Sequence, residues 1–334
     1  MVTKKRILTG DRPTGPLHIG HLVGSLQNRV RLQDDYDCFF IIADYQSLTD
    51  RLKETEQIEH NISEIMLDWL SVGLDPGKST FFIQSRVAEI ANLTMFFSML
   101  VTLSRLQRNP TVKEEIKASD IPQISYGFLG YPISQAADIL IVRAHLVPVG
   151  EDQLPHIEQT REIARTFNGL FKKVFPVPEG LVGNVARLPG LYGQKMGKSA
   201  GNAIYLKDSP EEIRAKINSA ITDTQRIRAT DIGHPQICNI FQYHIAFNPS
   251  GKGEIEQSCQ QGKIGCVTCK RMIADRIIAY LSTIQEKRAF YQTKPNIYRE
   301  ALREGIRRTS REGKKTMTLV REAMHFDYKN LLNS

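Results

Sequence analysis

The chain has 334 residues, 41% hydrophobic and 24% charged, with a formal net charge of +8. That makeup excludes a disordered, collagen-like or disulfide-scaffold protein and leaves room for two packed domains. No apolar run reaches the length of a membrane span, and the basic N-terminus MVTKKRILTG leads into no signal-length apolar stretch, so no membrane is expected and the location is cytoplasmic.

In chain order, KRILTG reads as a strand and a helix opens near Leu17. CFFIIAD is a second strand, followed by helical spacing over residues 58–70, and TFFIQ is a third. Further on, HLVPVG has the pattern of a buried strand and EDQLPHIEQTREIARTF that of a helix. Strands alternating with helices imply a parallel sheet covered on both faces, so residues 1–200 are expected to be one α/β domain. The Pro- and Gly-containing RLPGLYGQ precedes the join. Beyond Asn202 the strand signal fades. PEEIRAKINSAI, CKRMIADRIIAYLSTIQ and TMTLVREAMHF are amphipathic, which gives a C-terminal α-helical domain over residues 201–334. The basic excess falls wholly in that second part. A solvated basic face would explain it, and so would a phosphate-backbone partner, since basic groups displace counterions from nucleic acid.

Three stretches carry chemistry. Gly10-Asp11-Arg12-Pro13-Thr14-Gly15-Pro16-Leu17-His18-Ile19-Gly20-His21 follows the first strand and opens a helix. Glycine there permits close approach of backbone and ligand, a helix N-terminus favours phosphate, and His18 and His21 can donate to phosphate oxygens. Far downstream, Lys195-Met196-Gly197-Lys198-Ser199 places two lysines three apart in a glycine-flanked loop. Alone it reads as a solvated loop; beside the first motif it can follow charge building on a leaving pyrophosphate. Between them, Tyr131, Gln135 and Asp138 share one helix face, with Asp138 in the apolar setting AADILIV. A carboxylate there needs donors: an ion pair, a helix end, or a ligand N–H.

The first two stretches resemble the HIGH and KMSKS motifs of class I aminoacyl-tRNA synthetases, with Gly197 where serine is usual. From the first strand through LVPVGEDQ and KMGKS to the tail, the chain is similar to the bacterial tryptophanyl-tRNA synthetase family. The resemblance implies a Rossmann-type catalytic domain, a tRNA anticodon-binding helical domain and a homodimer. It implies activation of L-tryptophan with ATP and Mg²⁺ and transfer to tRNA(Trp). It also implies an ATP site of Arg12, Pro13, Thr14, Gly20, His21, Gly150, Glu151, Asp152, Leu188 and the Lys195, Met196, Gly197, Lys198, Ser199 loop, with Lys113 near the phosphates. His18, His21, Lys113, Lys195 and Lys198 would carry catalysis. Asp138 would take the indole N–H, Tyr131 and Gln153 the head group, and Leu8, Val147 and Val149 the ring. Gln135 and Gln46 stand where many members have methionine and histidine, as in a divergent branch.

The sister tyrosine family shares Tyr-x3-Gln-x2-Asp, but its first strand carries a second tyrosine where this chain has Leu8; a site built for a substrate hydroxyl relies on such partners. An enzyme of this fold that activates a small acid without RNA, or a catalytically idle RNA-binding paralogue, would share the first motif. The basic helical domain argues against the former and the two intact motifs against the latter.

Of five cysteines, Cys38 sits in an apolar strand as a small hydrophobe. Cys238, Cys259, Cys266 and Cys269 follow C-x20-C-x6-C-x2-C. Clustered cysteines in a cytosolic chain point to metal, and four thiolates suit an iron–sulfur cluster or Zn²⁺. Some bacterial members of the resembled family carry [4Fe–4S] here with the same x6 and x2 gaps and a slightly longer first gap, which makes the cluster the expectation over zinc.

Overall fold

A computed structural model describes residues 4–118, 123–182, 188–198, 200–328 and 331. Five parallel strands form one sheet in the order β3-β2-β1-β4-β5, with β1 Arg6–Asp11, β2 Asp37–Ile42, β3 Ser79–Ile83, β4 Leu146–Val149 and β5 Glu179–Val182. The first four lie where the apolar runs predict them. β5 was not foreseen: it is a sheet edge whose Glu179 and Gly180 are exposed, so no apolar run announces it.

Alternation along the strands divides the core. Ile7, Cys38, Phe40, Ile42 and Phe81 belong to one apolar cluster, and Leu8, Phe39, Ile41 and Phe82 to another, as a period of two requires. The first cluster continues into Trp69 and then into Ile213, Ile217, Tyr243, Ile277 and Leu281, so the helical region shares its core with one face of the sheet. The second is covered by helices Ala88–Ser98, Tyr126–Ile141 and Leu154–Leu170.

The C-terminal region is helical, with helices Pro210–Ser219, Asn239–Phe247, Lys252–Gln260, Cys266–Thr293 and Pro295–Ala323. The last is far longer than TMTLVREAMHF suggests, and it returns to the sheet. A Cβ on Gly305 would stand 1.8 Å from the Phe81 carbonyl oxygen, and Arg308 donates to Asp37 Oδ1 at 2.6 Å. Among the described residues no helix is long and apolar enough to cross a membrane. Chain order reverses between β1 and β4, and the crevice beyond the carboxyl ends of those strands is where a ligand meets an open parallel sheet.

Candidate active site

β1 ends at Asp11, which Arg29 grips through Nη1 to Oδ2 at 2.7 Å and Nη2 to Oδ1 at 3.2 Å; Trp69 Nε1 adds a bond of 2.9 Å. Burial works against that carboxylate, yet Arg29 and His21 hold it down to about 2. The chain then turns through Gly15, whose φ of +118° lies where side-chain-bearing residues are rare, and enters a helix at Ile19. The rings of His18 and His21 lie 3.8 Å apart. Burial, His21 and Lys198 push His18 down to about 2; burial outweighs Asp11 and pushes His21 down to about 4. Both imidazoles are therefore neutral at pH 7. His21 Nδ1 accepts the His18 backbone N–H at 3.3 Å, so its own proton sits on Nε2. His18 Nδ1 is buried without a protein partner, as a group kept for a ligand would be. A Cβ on Gly20 would stand 2.9 Å from the His18 ring and 3.2 Å from Met196 Sδ. A π-helical turn, Leu22–Leu26, follows directly.

The second motif closes on the first. Lys198 Nζ donates to the Gly15 carbonyl at 2.5 Å and to Thr14 Oγ1 at 3.2 Å, and burial lowers its ammonium to about 8. Lys195, exposed, reaches Asp152 Oδ2 at 3.4 Å. Asn202, 1% exposed, clamps the loop: Oδ1 accepts Gly197 N–H at 2.9 Å and Nδ2 donates to Lys195 O at 3.1 Å. The segment beyond runs beside the first motif, with Ile19 N–H to Ile204 O at 2.9 Å and Leu206 N–H to Leu17 O at 3.0 Å. Leu188 and Met196 are buried in the shared core, while Gly150, Glu151 and Asp152 are exposed after β4. Pro13 is buried, and Arg12 pairs with Asp50. Ser199 lies outside the described residues.

On the helix Tyr126–Ile141, Asp138 is 2% exposed. Gln84 Nε2 donates to its two oxygens at 2.9 and 2.8 Å, and Gln46 Nε2 to Oδ2 at 3.3 Å. Burial raises this carboxyl well above its ordinary range; Gln84 offsets that in part and Asp44 adds to it. Tyr131 Oη bonds to Glu115 Oε2 at 2.7 Å and His156 Nε2 at 2.8 Å. Leu8 and Val147 are buried in one cluster with Val149 against it, and Gln135 and Gln153 are half-buried. Lys113 is exposed on the helix that carries Glu115. An open cavity of about 300 Å³ shares Gln46 and Tyr131 with this group, but Leu8, Asp138 and Val147 do not line it. That cavity therefore does not coincide with the buried polar group around Asp138.

Sequence reasoning missed Gln84, Glu115, His156 and Asn202. Only Gln84 had a signal, as a polar residue ending an apolar strand where parallel sheets present their sites.

The four clustered cysteines lie in one neighbourhood: burial first, then Cys238, Cys259 and Cys266, push the Cys269 thiol up to about 12. Arg226 Nη1 is 3.9 Å from Cys259 Sγ and His244 Nε2 is 3.4 Å from Cys269 Sγ. As they stand, no three His, Cys, Asp or Glu side chains among the described residues gather as a metal-ion site. Cys38 is wholly buried in β2, its thiol pushed up to about 12 by burial and then Asp37.

A nucleotide-type parallel sheet with two motifs meeting at its crevice defines the class I tRNA synthetases, and the family described as tRNA synthetases class I (W and Y) matches residues 3–282. A tryptophan–tRNA ligase of Chlamydia caviae is 44% identical, covering 98% of each chain, and that of Thermotoga maritima 43%, covering 96% of this chain and 99% of its own. The Campylobacter jejuni tryptophanyl-tRNA synthetase, solved with ADP and tryptophan, superposes with a TM-score of 0.85 at 31% identity over 96% of this chain and 99% of that one. The chain belongs to the tryptophan–tRNA ligase family.

Proposed function

We infer that this chain activates L-tryptophan with ATP, giving tryptophanyl-adenylate and pyrophosphate, and then charges tRNA(Trp). The observation that carries the reading is the meeting of Lys198 with Thr14 and Gly15 at the crevice of the sheet. The tryptophan carboxylate attacks the α-phosphate, so no enzyme nucleophile is required. Placement and charge supply the catalysis. Arg12, Pro13, Thr14, Gly20, His21, Gly150, Glu151, Asp152, Leu188 and the Lys195–Ser199 loop shape the ATP site. His18 and His21 donate to phosphate oxygens as neutral imidazoles, and Lys195 and Lys198, with Lys113 and the Mg²⁺ that accompanies ATP, take up charge on the leaving pyrophosphate.

Asp138 accepts the indole N–H, a group that can only donate, and Gln84 and Gln46 fix its orientation. Tyr131 and Gln153 hold the head group; Gln135, Leu8, Val147 and Val149 flank the ring. Leu8 offers a substrate hydroxyl no partner, which favours tryptophan over tyrosine.

Cys238, Cys259, Cys266 and Cys269 would hold a [4Fe–4S] cluster, with Zn²⁺ the alternative. The soft ligand set supports this, as do the neighbouring donors. Asn248 Nδ2 donates to His244 Nδ1 at 3.2 Å, which leaves the His244 Nε2 proton for Cys269. Such a cluster would brace the surface that meets the tRNA anticodon. The enzyme acts in the cytoplasm as a homodimer; Met95, Met99 and Tyr126, 60%, 70% and 79% exposed, offer an apolar face to a second copy.

ATP–pyrophosphate exchange with each amino acid, followed by tRNA charging, tests the reading. Exchange and charging with tryptophan support it. Preference for another amino acid, or exchange without charging, overturns it.

A further inference from the structure

The hydrogen bonds behind Tyr131 fix the direction of every proton. Asn109 Oδ1 accepts Thr111 N–H at 3.1 Å and its Nδ2 donates to Gln159 Oε1 at 2.8 Å, which sets the amide orientation. Nδ2 also faces His156 Nδ1 at 3.3 Å, and an amide nitrogen can only donate. His156 therefore carries its proton on Nε2 and donates it to Tyr131 Oη. Burial pushes His156 down to about 4, so it stays neutral and this tautomer persists at pH 7. The Tyr131 hydroxyl proton is then directed at Glu115 Oε2, and the phenol keeps one lone pair open.

Glu115 thus sits half-buried at the mouth of the site, with Arg12, Asp50 and Lys195 in its electrostatic surroundings. Burial raises its pKa; the Tyr131 hydroxyl and, without touching it, the Arg12 and Lys195 charges offset that only in part, and Asp50 adds to it. Among the described residues no lysine or arginine makes an ion pair with it, and its Oε1 accepts no hydrogen bond. Asp138 cannot serve the same end of the substrate: it is seven residues further along the helix, about 10 Å of axis, and is taken by two glutamines.

We propose that Glu115 is the counter-ion for the α-ammonium group of the amino-acid substrate, gripping it together with the free lone pair of Tyr131. This rests on the head-group role of Tyr131. The phenol supplies direction, and Glu115 supplies the charge that separates an amino acid from an indole acid that lacks the ammonium.

Three probes separate charge from shape in the exchange assay: tryptophan as substrate, with tryptamine and indole-3-propionate as competitive inhibitors. Tryptamine keeps the ammonium and lacks the carboxylate; indole-3-propionate does the reverse. Glu115→Gln, equal in size, is expected to raise the KM for tryptophan and the Ki for tryptamine on the order of tenfold or more. It should leave the Ki for indole-3-propionate within about twofold, and Glu115→Asp should recover part of the loss. Equal weakening of all three probes, or of none, overturns the proposal. Tyr131→Phe tests the reading beneath it: if that variant binds tryptophan normally, the head group lies elsewhere and both fall. If Tyr131→Phe weakens tryptophan while Glu115→Gln does not, the head-group site stands and the proposal alone fails.

Discussion

Lys198 ties activity to pH with a sign that follows from its surroundings. Burial, with Arg51 and Arg12, lowers its ammonium from 10.5 to about 8 against the pull of Asp11 and Asp68. If the charged form meets the leaving pyrophosphate, kcat/KM for ATP tracks the protonated fraction in the free enzyme. That fraction is about nine-tenths at pH ~7 and about one-tenth at pH ~9, so an alkaline limb of roughly tenfold should appear over two units. Stability moves the other way. With its folded pKa depressed, the unfolded chain holds this proton more tightly between about 8 and 10.5, so the residue's contribution to stability rises with pH through that window. Exchange measured from pH ~6.5 to ~10 at subsaturating ATP and saturating tryptophan is the assay. Lys198→Arg keeps a cation that does not titrate here, so it should lower the rate but flatten the limb. A limb that persists in Lys198→Arg, or that is missing from the parent, would refute the reasoning.

Asp138→Asn should keep the fold and raise the KM for tryptophan by about 2 kcal/mol of lost binding, since the amide presents donors toward an indole N–H; an unchanged kcat/KM in the exchange assay would remove Asp138 from the site. Gly20→Ala puts a Cβ 2.9 Å from the His18 ring and 3.2 Å from Met196 Sδ. Displacing that imidazole should slow adenylate formation by about a hundredfold in single-turnover measurements, with tryptophan affinity held. Cys266→Ser should remove iron, sulfide and visible absorption from anaerobically purified protein while sparing pyrophosphate exchange; stoichiometric zinc in the parent would instead establish a Cys₄ zinc site.

What the sequence showed and what it hid divide along physical lines. Strands β1 to β4 were legible because Ile7, Phe40 and Phe81 sit in apolar runs, whereas β5, a sheet edge like β3, carries an exposed glutamate and glycine where β3 carries Phe81 and Phe82. Arg12, His18, His21 and Lys198 were legible because contiguous motifs hold them. Asp138 stood out as a lone carboxylate among apolar residues, but Gln84 and Gln46, which hold it, come from other elements. Glu115 in KEEIK looks like any helix-surface acid until Tyr131 is placed against it. Asn202 likewise acquires meaning only when the loop closes around it. Such partners are set by tertiary approach, which has no period and no spacing in the chain.

The helix Cys266–Thr293 carries two of the cysteines at its start and reaches the back of the first motif near its end. There Arg288 Nε donates to Asp68 Oδ1 at 2.9 Å, and Asp68 Oδ2 accepts the N–H of Leu17, next to His18, at 2.7 Å. Arg288 Nη2 also pairs with Glu64 at 3.0 Å, and Glu64 with Lys207 at 2.8 Å. Asp68 and Arg288 are 0% and 4% exposed, so neither charge can turn to water if its partner is lost. Arg288→Met should therefore cost about 3–5 kcal/mol in urea unfolding by stranding Asp68. In the double variant Asp68→Asn with Arg288→Met, an amide oxygen still accepts from Leu17 and Lys207 still neutralises Glu64. Most of the stability should return, and the two changes should be strongly non-additive. If the pair also holds the first motif in place, adenylate formation in the refolded double variant should stay slow while the KM for tryptophan is unchanged, because Asp138 and Tyr131 are mounted on another helix. Additive losses in the cycle would break the link between Asp68 and Arg288. Full recovery of rate with stability would show the pair to be a brace and nothing more.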